Sequence, residues 1–137
     1  MFQTITIVGV GLISGSLALS LKENRLVKKV IGVSRTQATL QRALQLGIID
    51  EIATLEDAVA QSDLIYVAIP VDATIPMVQR ILDLVKGHQL IADAGSTKFA
   101  LCDAIAQHPM RGRFVATNPM WGTENSGPDA AVNNAFQ

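Results

Sequence analysis

"TITIVGVGLISGSLALSLK", residues 4–22, decides the fold. An uncharged run rich in β-branched residues stops at Gly9, a second glycine follows at Gly11, and from Leu12 apolar residues recur at three-and-four spacing. That order reads strand, tight turn, helix. Gly9 permits the turn and Gly11 lets the backbone approach a pyrophosphate, while the first turn of the helix offers free N–H groups and the positive end of its dipole. The third position of the dinucleotide fingerprint is Ser14 rather than glycine, followed by Gly15; a small side chain there still lets helix and strand pack closely. Taken alone, the spacing also fits any glycine-containing strand–helix turn. Its place at the first such junction favours dinucleotide binding by Gly9, Gly11, Leu12, Ile13 and Ser14.

Outward from this stretch, short apolar runs alternate with helical patterns. Strands are expected at 4–9, 29–33, near 48–53, 64–69, 89–93 and 113–117, and helices at 12–23, 36–46, 55–61, 72–86, 97–107 and 128–136. Strands apolar throughout are buried on both faces, which requires a mainly parallel sheet with helices above and below. The expected class is therefore α/β, doubly wound and Rossmann-like, with residues 1–137 forming one dinucleotide-binding domain. The chain stops at Gln137 just after a helix start, so a fragment of a longer, two-domain protein is expected.

Composition limits the partners. Hydrophobic residues make up 49 % and charged residues 17 %, and 11 basic against 12 acidic side chains leave a net charge of −1. Nothing there attracts nucleic acid or an anionic membrane, and no apolar run is long enough to span one. A small-molecule partner is expected. No metal-ligating cluster is read. The single cysteine, Cys102, cannot form an internal disulfide, which makes the reducing cytoplasm the default location; its spacing from Leu101 and Ile105 reads as a small buried hydrophobe.

The strand ends carry the next signals. "GVSRT", residues 32–36, places Ser34, Arg35 and Thr36 where an NAD site usually has an acid for the ribose 2′-hydroxyl. A hydroxyl and a guanidinium suit a 2′-phosphate instead, so NADP is expected and NAD is less favoured; the same residues could simply cap the next helix. "YVAIPVDAT", residues 66–74, ends a strand at the carboxyl edge of the sheet, where the backbone of Ala68, Ile69 and Pro70 can line a nicotinamide pocket and Asp72 can cap the following helix. "IADAGSTKFA", residues 91–100, follows its strand with Ser96 and Lys98. Ser96 fits a helix N-cap; a cation such as Lys98 near a helix N-terminus opposes the dipole and points to an anionic ligand or a carboxylate partner.

"GVGLISGSLA", "AIPVDATIP", "DAGSTK" and "NPMWGTENSGPDAA" occur in this order, and over almost the whole chain the sequence resembles the cofactor-binding domain of prephenate/arogenate dehydrogenases. The resemblance implies an oxidoreductase of tyrosine biosynthesis: a hydride leaves the ring carbon bearing the hydroxyl for the nicotinamide, and the ring carboxylate departs as carbon dioxide. It also implies that Ser96 touches that hydroxyl and the nicotinamide, that Glu124 helps organise the pocket, and that Lys98 and Thr123 lie at the substrate. In the family the loop reads His-Pro-Met/Ile-x-Gly-Thr/Ser-Glu-x-Ser-Gly, its His helping to remove the hydroxyl proton. Asn118 stands at that position here. Asn can donate and accept hydrogen bonds but cannot take a proton near neutral pH, so ligand binding with poor turnover is expected. The triplet "HPM" at 108–110 precedes the strand and lacks Gly-Thr-Glu after it, so His108 reads as the end of the preceding helix.

Family members continue into a helical C-terminal domain that supplies the dimer interface and part of the active site; a homodimer through that domain is implied. Two other readings stand beside this one. A two-domain dehydrogenase of the hydroxyacid or imine-reductase type would share the fold and the glycine turn, although "GTENSGP" tells against it. A non-catalytic NADP-binding module would explain Asn118 but not the retention of Ser96, Lys98 and Glu124.

Overall fold

Six parallel strands in the order β3-β2-β1-β4-β5-β6 form the sheet of the computed structural model, which describes residues 2–93 and 98–116. The elements are β1 (Phe2–Val8), α1 (Leu12–Glu23), β2 (Val27–Val33), α2 (Gln37–Gln45), β3 (Glu51–Ile52), α3 (Leu55–Gln61), β4 (Leu64–Val67), α4 (Val71–Leu84), β5 (Leu90–Asp93), α5 (Lys98–Ile105), a 3-10 turn at Arg111–Arg113 and β6 (Phe114–Ala116). The chain winds outward from β1 to β3, returns to the other side of β1 as β4, and continues to β6. The order reverses between β1 and β4, which opens a crevice at the carboxyl ends of those two strands.

β1 is flanked on both edges, Ile5 pairing with Val30 in β2 and with Leu64 in β4. Its two faces supply two cores. Ile5 and Ile7 pack with Ala18, Leu40, Ala43 and Tyr66 on the α1–α2 side. Val8 packs with Val59, Ile65, Val78, Ile81 and Ile91 on the α3–α4–α5 side. Both faces being covered is why β4 reads apolar without alternation and why β1 is buried from Thr4 to Val8 although threonine and isoleucine alternate along it. Thr6 is fully buried, and its hydroxyl meets the Ser62 hydroxyl and the Ala58 carbonyl, so α3 is pinned to the sheet by polar contacts as well.

The structure adjusts several boundaries and local roles. β4 ends at Val67 rather than at residue 69, because the Ala68 N–H makes a last bond to the Val8 carbonyl before the chain crosses to meet Gly9. α4 begins at Val71, so Asp72 lies inside its first turn with Pro70 at the N-cap, and the expected Asp72 cap is replaced by a favourable charge–dipole placement. α5 ends at Ile105, leaving His108 in the turn beyond it. There His108 Nε2 lies 2.7 Å from Asp83 Oδ1 on α4, and Nδ1 accepts the Met110 N–H at 3.0 Å. His108 thus ties two segments together rather than ending the helix. Cys102 is half-buried against the α4 core, less enclosed than the apolar spacing suggested. The helix expected at 128–136 lies outside the described residues.

Candidate functional site

Gly9 holds the turn after β1 with φ +85°, and a Cβ added there would lie 2.3 Å from the Ala68 carbonyl oxygen and 2.6 Å from Ile69 Cγ2. Only glycine fits where the backbones of β1 and β4 converge. Gly11 is different: its backbone is extended (φ −138°, ψ −152°), and an added Cβ would meet nothing within 4 Å. Sterically, glycine here keeps space open rather than relieving a clash.

Ser14 occupies the third fingerprint position and turns inward. Its hydroxyl donates to the Gly9 carbonyl at 2.6 Å and accepts the Gly11 N–H at 3.1 Å, and the residue is fully buried. With both bonds made inside the turn, Ser14 shapes the loop and does not line the cleft. A glycine there would fit the space but would leave the Gly9 carbonyl and Gly11 N–H without these partners. Gly15 N–H closes the first helical bond to the Gly11 carbonyl, and the leading N–H groups of α1 have no carbonyl before them within the helix.

A cleft of about 810 Å³ opens over the carboxyl ends of β1 to β4. That volume falls within the range of small-molecule and cofactor sites. Of the residues expected at the cofactor, Gly9, Gly11, Ser34, Arg35, Thr36, Ala68, Ile69 and Pro70 line it. The backbones of Leu12 and Ile13 form the start of α1 behind the turn. The Ser34–Thr36 stretch does cap α2 in part: Thr36 is its N-cap, without a side-chain cap bond, and Ser34 Oγ accepts the Thr36 N–H at 3.2 Å. Arg35 is not used by the cap.

Ser96, Asn118, Thr123 and Glu124 lie outside the described residues, and Lys98 opens α5. Among the described residues the cleft's charged side chains are Arg35, Glu56 and Arg80. Arg80 on α4 pairs with Glu56 in the first turn of α3. The backbone N–H of Glu56 itself, and then the Arg80 guanidinium, hold the Glu56 carboxyl below its usual range. Sequence reading missed this pair, along with Thr54 and Met77. A signal was present for part of it: Ala73, Met77 and Arg80 follow one helical face of α4, and a lone arginine on that face marks where the helix meets solvent at a cleft. No group of three or more metal-ligating side chains occurs among the described residues. No helix there is long and apolar enough to cross a membrane.

With this geometry in hand, comparison with known proteins is specific. Residues 17–137 match the family model described as prephenate dehydrogenase, nucleotide-binding domain. The chain belongs to this prephenate dehydrogenase family. It is 36 % identical over its whole length to the prephenate dehydrogenase of Bacillus subtilis (strain 168), of which it spans 38 %. The structure of prephenate dehydrogenase from A. aeolicus in complex with hydroxyphenyl propionate and NAD+ superposes with a TM-score of 0.87 at 30 % identity, covering 100 % of this chain and 48 % of that one. Synechocystis arogenate dehydrogenase gives 0.85 at 28 % identity, over 98 % and 47 % of the two chains. The chain thus spans less than half the length of these relatives. The doubly wound, Rossmann-like fold expected from the glycine turn is the one observed.

Proposed function

We propose that the cleft binds NADP and that this domain serves an oxidative decarboxylation of prephenate or arogenate. The observation that carries the reading is the room at Gly11, where an added Cβ meets no protein atom within 4 Å, beside the cleft at the point where the strand order reverses. A phosphate bridge fits there, against the N-terminus of α1. Arg35 and Ser34 then face the ribose carrying the 2′-phosphate, and the Ala68–Pro70 backbone lines the far side at the end of β4. When bound, the nicotinamide supplies the hydride acceptor. The chain's own part is to hold the rings in register and to exclude water from the reacting face.

The substrate side rests on residue type and order. Ser96 and Asn118 can orient the ring hydroxyl by hydrogen bonds, Lys98 can hold a carboxylate, and Thr123 and Glu124 complete the loop. Asn118 cannot accept the hydroxyl proton, and loss of a positioned general base costs about a hundredfold to ten-thousandfold in rate. The reading is therefore of a domain that binds its nucleotide well and supports slow turnover. Calorimetric titration of the protein with NADP and with NAD tests the cofactor: tighter binding of NADP is expected, falling to parity in Arg35→Ala, whereas a clear preference for NAD removes the specificity claim.

A further inference from the structure

Arg35 is not the only guanidinium in the cleft. Arg80, on α4, lines the same space and is paired with the carboxylate of Glu56, which lines it too. The side chains of both partners are about half exposed, at 56 % and 50 %. A solvent-exposed ion pair of this kind contributes little to stability, so holding α3 against α4 is a weak reason for it. Its position gives a better one. Among the described residues, the three charged groups of the cleft sum to a single positive charge with Glu56 ionised.

We infer that Arg80 is a second specificity-determining residue for the 2′-phosphate, and that Glu56 competes with that phosphate for its guanidinium. In the free protein Glu56 holds Arg80. A 2′-phosphate entering beside Arg35 offers Arg80 a more highly charged acceptor, and the guanidinium transfers from carboxylate to phosphate; a plain ribose hydroxyl cannot draw it away. Glu56 therefore sets how strongly the site discriminates, restraining affinity for the phosphorylated nucleotide while leaving the unphosphorylated one almost untouched.

This inference rests on the reading of the cleft as a 2′-phosphate site, and the test separates the two. The intact protein is titrated with 2′,5′-ADP and with 5′-AMP, which differ only in the 2′-phosphate. For E56Q, binding of 2′,5′-ADP is expected to tighten about threefold to tenfold, and for R80Q to weaken about tenfold, with 5′-AMP changed less than twofold in either. Both side chains are about half exposed, and cooperative melting close to the wild-type temperature would show that the variants remain folded. An unchanged ratio of the two ligands in both variants overturns the inference. So does an equal loss of both ligands in R80Q, which would put Arg80 on the base or the pyrophosphate, or weaker 2′,5′-ADP binding in E56Q, which would make Glu56 a support rather than a competitor. Failure of the underlying reading looks different: wild-type protein would show no preference for 2′,5′-ADP, and R35Q would not alter that.

Discussion

Replacing Gly11 by valine separates binding from folding. The backbone there is already extended, a conformation β-branched residues favour, and a Cβ meets no atom within 4 Å. Valine is a poorer N-cap than glycine, which costs up to about 1 kcal/mol, while stiffening the unfolded chain returns roughly 0.4–1 kcal/mol. The net change in stability should stay below about 1 kcal/mol, a shift of no more than about 5 °C in melting temperature for a domain of this size. Binding should behave oppositely. The isopropyl group fills the space proposed for the pyrophosphate, so NADP affinity should fall at least about a hundredfold, or roughly 2.7 kcal/mol. Gly9→Ala is the control with the reverse pattern: left-handed strain of roughly 1–2 kcal/mol and overpacking of roughly 1–3 kcal/mol against the Ala68 carbonyl should lower the melting temperature sharply. Calorimetry and thermal melts with and without NADP read both quantities. A Gly11→Val protein that binds NADP as the wild type does, or that melts as early as Gly9→Ala, would refute the assignment of the cradle.

Asn118→His in the full-length protein should raise prephenate- or arogenate-dependent reduction of NADP at least tenfold, and an unchanged rate would place the base elsewhere. Gln89→Leu should destabilise the domain by about 3 kcal/mol in denaturant titration, because the buried Gln89 amide donates to the Val59 and Ser62 carbonyls and accepts the Lys86 N–H, and leucine leaves the Ser62 carbonyl and the Lys86 N–H without these partners and the Val59 carbonyl with only the Ser62 N–H. A loss below about 1 kcal/mol would mean that water replaces it. Glu56 makes stability weakly pH-dependent: its folded pKa is lowered, so its contribution is present above the usual value of 4.5 and is lost as the pH falls through the lowered one. The stability difference between wild type and Glu56→Gln should therefore shrink on acidification below that value, and a gap that widened instead would contradict the sign.

Most of the fold was legible in residues 4–93 because its causes are local. An uninterrupted apolar strand such as β4 betrays burial on both faces, helical spacing places α1 and α3 at their observed bounds, and the glycine pair marks the turn. Strand ends were less legible, since β4 stops where Ala68 must clear Gly9, a contact between residues far apart in the chain. The candidate site divides along the same line. Gly9, Gly11 and Ser34–Thr36 announce themselves by type and position, but the inward turn of Ser14 depends on a carbonyl presented by the folded loop.

What the sequence by itself determined is the set of elements and the chemistry at each strand end, because periodicities of two and 3.6 residues and the freedom of glycine act over a few neighbours. Only the tertiary structure decided that Glu56 from α3 and Arg80 from α4 share a cleft with Arg35 after β2. That meeting follows from the order in which six strands pair and from the side of the sheet each crossover takes, which no local pattern encodes.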